Sequence, residues 1–99
     1  MTQANDREKQ LFEEMQRGNE ARQLLEHPYL SGAFKSVRET IHEKWAESPV
    51  RDSEGREKLF QMLALLKMVE NQIRGHIETG QQAEIVLNDE KQRKRFFRT

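Results

Sequence analysis

Apolar residues recur at intervals of three and four along most of the chain, a spacing that predicts helices. The first predicted helix spans about residues 3–26. It ends at His27-Pro28, because a proline moves the residue before it out of the helical region. Gly18-Asn19 is predicted to interrupt it, with Asn19 as a fresh N-cap. Its apolar face consists of Leu11, Phe12, Met15, Ala21, Leu24 and Leu25.

The second predicted helix runs from Tyr29 or Leu30 to Glu47 and is amphipathic, with one narrow apolar stripe. Ser48-Pro49 ends it, and Asp52 or Ser53 is the expected cap of the next helix. The stripe consists of Leu30, Phe34, Val37, Ile41 and Trp45.

The third predicted helix runs from Ser53 to Thr79, with Gly80 as the residue that follows its last turn. It carries apolar residues on two sides, and a helix of that kind needs partners on both sides. The first side consists of Leu59, Leu63, Leu66, Ile73 and Ile77, and we expect the first four of these to pack on the second helix. The second side consists of Phe60, Met62, Leu65, Met68 and Val69. This second side is predicted to mediate self-association; the alternative is that the N-terminal helix covers it within one chain.

The last stretch, residues 81–99, starts as a helix and is predicted to fray beyond Leu87, where polar residues follow one another. The pattern as a whole predicts an all-α protein. Its centre is a long antiparallel helical hairpin, with an additional N-terminal helix and a basic C-terminal helical tail. The predicted segments are residues 1–28, 29–80 and 81–99.

The composition favours association over a thick core. Hydrophobic and charged residues each make up 34% of the chain, and the mean hydropathy is -1.00. Typical globular chains are about 45–50% apolar and about 25% charged. A homo-oligomer is therefore expected.

Several classes are excluded or disfavoured by the residue content. The chain has no cysteine, which excludes disulfides and thiol catalysis. Its longest apolar run, Met62–Leu66, is far shorter than the roughly 18 residues that a spanning helix needs. The N-terminal residues have no apolar stretch typical of a signal peptide. We therefore expect a cytoplasmic protein with no membrane partner.

The charge is distributed unevenly. The segment after Glu90 has five basic residues and no acid, so it carries +5 while the rest of the chain carries -5. Basic residues beside aromatic ones suit docking on a partner protein or binding to a nucleic acid. An anionic membrane surface and a merely solubilising tail are further alternatives. The residues concerned are Lys91, Arg93, Lys94, Arg95, Phe96, Phe97 and Arg98.

One pair of residues has the spacing of metal ligands. Glu39 and His42 form the Glu-x-x-His unit of di-iron bundles, but that site needs a second such unit, which the sequence lacks. We interpret the pair as part of a solvated helix face and predict no metal and no cofactor. The sequence also has no nucleophile elbow and no glycine-rich phosphate loop, so we expect a protein that is not an enzyme.

A set of short runs between Ala21 and Leu87 resembles small helical proteins encoded by tailed bacteriophages and prophages, which tend to lie among head and packaging genes. The resemblance implies a viral origin and a role in the particle or its assembly, and it carries over no catalytic or binding residue. The runs are Ala21-Arg22-Gln23-Leu24-Leu25, Ala33-Phe34, Trp45, Gly55-Arg56-Glu57-Lys58-Leu59, Thr79-Gly80 and Ala83.

The sequence therefore predicts a non-enzymatic interaction or assembly protein that self-associates and docks on a larger assembly, in the host cytoplasm or in a virion. The alternative is a small nucleic-acid-associated factor that binds through the basic tail.

Overall fold

The computed structural model describes the backbone of residues 3–98 and the side chains of residues 5–95. This part of the chain forms three α-helices: α1 (Gln3–Glu26), α2 (Pro28–Glu47) and α3 (Ser53–Arg98). The all-helical class predicted from the apolar spacing is confirmed.

The helix boundaries at the two prolines follow from local chemistry. His27 precedes α2 with an extended backbone, and its Nδ1 accepts a hydrogen bond from the backbone N–H of Tyr29 at 3.2 Å. Pro28 fills the first helical position, where its missing N–H costs nothing. At the other end, the Ser48 hydroxyl donates to the Trp45 carbonyl at 2.6 Å, and Pro49 follows.

The start of α3 is held by the predicted cap. The Asp52 carboxylate accepts a hydrogen bond from the backbone N–H of Gly55 at 3.0 Å, which satisfies one of the free donors of the first turn. A Cβ on Gly55 would lie 2.3 Å from the Asp52 carboxylate, so a glycine leaves room for this cap.

Three boundary predictions are wrong. Gly18-Asn19 does not interrupt α1, which is continuous from Gln3 to Glu26. Gly80 does not end α3, and the helix does not fray at Leu87 but continues to Arg98. With 46 residues, α3 is about 69 Å long.

The chain divides into two compact units, residues 1–23 with 73–99 (unit 1) and residues 24–72 (unit 2). In unit 1, α1 packs against the second part of α3 at Gly18, Ala21, Gly80 and Ala83, all buried. In unit 2, Ile41 of α2 is buried against the first part of α3, where Leu59 and Leu63 are partly covered. Among the described residues, the buried apolar side chains are Ala21, Ile41 and Ala83.

Gly18 and Gly80 explain why the two helices of unit 1 approach so closely. A Cβ on Gly18 would lie 2.8 Å from the His76 carbonyl oxygen and 2.9 Å from the Gly80 Cα. A Cβ on Gly80 would lie 2.8 Å from the Gly18 Cα and 3.0 Å from the Glu14 carbonyl oxygen. The contact is therefore backbone against backbone, which a glycine allows and any larger residue prevents.

Replacing Gly18 or Gly80 with alanine is expected to destabilise the protein by about 1–3 kcal/mol, because the helices of unit 1 must separate to admit the methyl group. Gly32→Ala is the matched control, since no atom lies within 4 Å of its Cβ position in α2. That variant is expected to gain up to about 1 kcal/mol from helix propensity. Urea unfolding at one protein concentration, followed by circular dichroism, measures all three. Equal stability of Gly18→Ala and Gly32→Ala would contradict the proposed contact.

Candidate interaction surfaces

An apolar groove of about 290 Å³ lies between α2 and α3 in unit 2. Ile41 is buried in it, whereas Trp45 is 48% exposed and Phe60 is 68% exposed at its edges. The groove thus offers two aromatic side chains to solvent beside an apolar floor. The lining residues are Ile41, His42, Trp45, Leu59, Phe60 and Leu63.

Arg56 joins the two helices at one end of this groove. Its guanidinium carbon lies 4.3 Å from the centre of the Trp45 ring, a cation–π contact. The Arg56 Nε is buried and has no hydrogen-bond partner in the described part of the chain. Stacking on the indole therefore helps to hold this arginine across the helix pair.

A second contact, an ion pair, links α2 to α3 further from the turn between them. The Arg38 guanidinium pairs with the Glu70 carboxylate, whose side chain is largely buried. Because both partners are partly withdrawn from water, this pair is less screened than an ion pair on the open surface.

The predicted self-association residues are all exposed by half or more. Met62, Leu65, Met68 and Val69 are 51–65% exposed. At 3.6 residues per turn they share an arc of about 120° on α3, which we call the apolar face. Phe60 lies about 80° beyond this arc and lines the groove. The structure therefore brings four of the five residues together and places the fifth on a different surface.

The basic tail continues α3 and is partly neutralised within unit 1. The Lys94 ammonium lies 2.9 Å from the Glu8 carboxylate, and the Arg93 guanidinium lies 3.7 Å from that of Asp89. Lys91 and Arg95 are exposed, one turn apart, and have no ion pair among the described side chains. The side chains of Phe96, Phe97 and Arg98 lie outside those that the structure describes.

The Glu39–His42 pair has no third ligand beside it in the described part of the chain, where no group of three or more His, Cys, Asp or Glu is placed to hold a metal ion. His42 lines the apolar groove. Within the same range, no helix has both the length and the apolar character needed to cross a membrane.

Comparisons with protein-family models, with curated proteins and with solved structures gave no match. The resemblance to phage-encoded helical proteins therefore stays a prediction, and the surfaces of the molecule itself carry the functional argument.

The groove was not predicted from the sequence. Its signal was present as two stripes at helical spacing, one on each helix, and each stripe contains one aromatic residue and two basic ones. On α3 the stripe is Arg56, Phe60, Leu63 and Lys67, and on α2 it is Lys35, Arg38, His42 and Trp45.

Proposed function

We propose that this chain is a non-enzymatic helical interaction protein that self-associates through the apolar face of α3 and docks on a larger assembly. The observation that carries the proposal is the exposure of Met62, Leu65, Met68 and Val69, each by half or more. Leaving large apolar side chains in water forgoes about 1.5–3 kcal/mol for each one that a partner would bury. A second copy of the chain offers an identical face.

The proposal includes an antiparallel hairpin of α2 and the first part of α3. Arg56, near the start of α3, stacks on Trp45, near the end of α2. The pair formed by Arg38 and Glu70 lies earlier in α2 and later in α3. From the first contact to the second, the residue number falls in α2 and rises in α3. This order supports an antiparallel arrangement of the two helices.

We further propose that the larger assembly is a phage particle or its packaging machinery, and that the protein acts in the host cytoplasm or in the virion. The resemblance of residues 21–87 to small phage-encoded helical proteins supports this part of the proposal. The basic tail is the proposed docking element for a protein partner, since Lys91 and Arg95 are exposed on it.

The double substitution Leu65→Glu with Met68→Glu is expected to convert an oligomer into a monomer. Both side chains are already exposed, by 58% and 65%, so the change adds charge to the proposed interface without disturbing a core. Light scattering on a sizing column measures the molar mass of the two proteins. The native chain is expected at the mass of two or more copies and the variant at the mass of one.

The matched control replaces Val50 and Ile85 with glutamate. These side chains are 83% and 67% exposed and do not belong to the apolar face. This variant is expected to keep the native mass. A native chain that is monomeric, or a face variant that keeps an oligomeric mass, would contradict the proposal.

The second candidate function is binding to nucleic acid through the tail. Its supporting observation is that Lys91 and Arg95 are exposed one turn apart and free of ion pairs among the described side chains. Lys94 and Arg93 contribute less, because each faces a carboxylate.

If the second candidate holds, Lys91→Gln with Arg95→Gln is expected to reduce the salt dependence of binding to an oligonucleotide. For single strands each lost phosphate contact lowers the log–log slope by about 0.7, so the double variant should lose about 1.4. Fluorescence anisotropy with a labelled single strand measures the slope, and Lys9→Gln with Lys44→Gln is the control. An unchanged slope, or no binding at low salt, would rule this candidate out.

A further inference from the structure

We propose that the groove between α2 and α3 in unit 2 binds an acidic amphipathic peptide helix, with the apolar side chains of the peptide in the groove and its carboxylates on a basic rim. This surface differs from both the apolar face and the tail. The proposal therefore does not depend on self-association.

The rim of the groove is basic on the α3 side. Arg56 and Lys67 lie one turn before Phe60 and one turn after Leu63, on the same stripe of the helix. Arg56 is held over Trp45, whereas Lys67 is exposed and has no ion pair among the described side chains. Both cations therefore flank the apolar floor.

The rim is also basic on the α2 side. Lys35 and Arg38 precede His42 on the stripe that ends at Trp45. Arg38 is neutralised by Glu70, whereas Lys35 is exposed and without an ion pair in the described part of the chain. Lys35 thus adds an available charge to those of Arg56 and Lys67.

Of the carboxylates near the groove on the two helices, that of Glu70 is paired with Arg38, and two others lie to the side of the rim. Glu39 and Glu57 lie about 60° further around their helices than His42 and Phe60, which line the groove. The groove is a basic region in a chain whose residues 1–90 carry a net charge of -5. Such a local reversal of charge favours an acidic partner.

The floor of the groove favours a peptide over a nucleic acid. Apart from His42 and the indole N–H of Trp45, the side chains that line the groove are apolar, so the groove offers few partners for the polar edge of a base. The volume of about 290 Å³ is at the low end of the range for ligand pockets and suits apolar side chains. An amphipathic helix places such side chains at i, i+3 and i+4, with its charges beside them.

The test uses the full chain and the fluorescence of Trp45, its single tryptophan, which lines the groove. The probe is a blocked synthetic helix of about 16 residues, with leucine and phenylalanine on one face and glutamate elsewhere. A second peptide has lysine at every glutamate position, and a thymidine oligonucleotide is the third probe. The acidic peptide is expected to change the Trp45 emission saturably and to bind at least about tenfold more tightly than the basic one.

The variant Lys35→Glu with Lys67→Glu is expected to weaken binding of the acidic peptide about tenfold or more, because it reverses two rim charges. The control, Lys9→Glu with Lys58→Glu, makes the same change of net charge, with Lys58 about 160° around α3 from Phe60, and should stay within about twofold of the native affinity. The proposal is overturned if the acidic peptide gives no saturable change, if the basic peptide or the oligonucleotide binds as tightly, or if the rim variant binds like the control.

Discussion

Two helices packed side by side bury only the side chains along the seam between them, and this constraint explains why so many apolar side chains stay exposed. Each of the two units pairs one shorter helix with part of α3. Within unit 2 the seam covers Ile41 and partly covers Leu59 and Leu63. The flanks of the helices stay open, and they carry the apolar face on one side and the groove on another. Partner binding is the physical consequence that we assign to both surfaces.

The local features of the fold were predictable because each depends on a few neighbouring residues. Pro28, Ser48 and Asp52 mark helix ends through fixed backbone angles or hydrogen bonds to adjacent turns. The predictions made at two glycines were wrong because the role of these glycines is not local. Gly18 and Gly80 are read locally as a helix break and a helix end, at a cost of about 1 kcal/mol each in a helix interior. Their role is a contact between residues far apart in the chain, which the local pattern does not contain.

The same difference between local and long-range contacts applies to the candidate surfaces. Helical spacing alone placed Met62, Leu65, Met68 and Val69 on one side of a helix, because an apolar arc is a property of one element. The prediction grouped Phe60 with them, although helical spacing alone puts Phe60 about 80° outside this arc. That Phe60 lines the groove and that Arg56 stacks on Trp45 depends on how α2 lies on α3. The ion pair of Lys94 with Glu8 could not be predicted either, since its partners come from opposite ends of the sequence.

The central claim is that the apolar face of α3 meets the same face of a second chain. The absence of cysteine allows a single spin label to be attached at Gln72→Cys, an exposed position at the edge of this face. Pulsed electron paramagnetic resonance then measures the distance between labels on different copies. The account predicts a defined intermolecular distance that is lost on dilution with unlabelled chain and absent from the Leu65→Glu with Met68→Glu background. A label at Gln72 that shows no coupling to a second copy would contradict it.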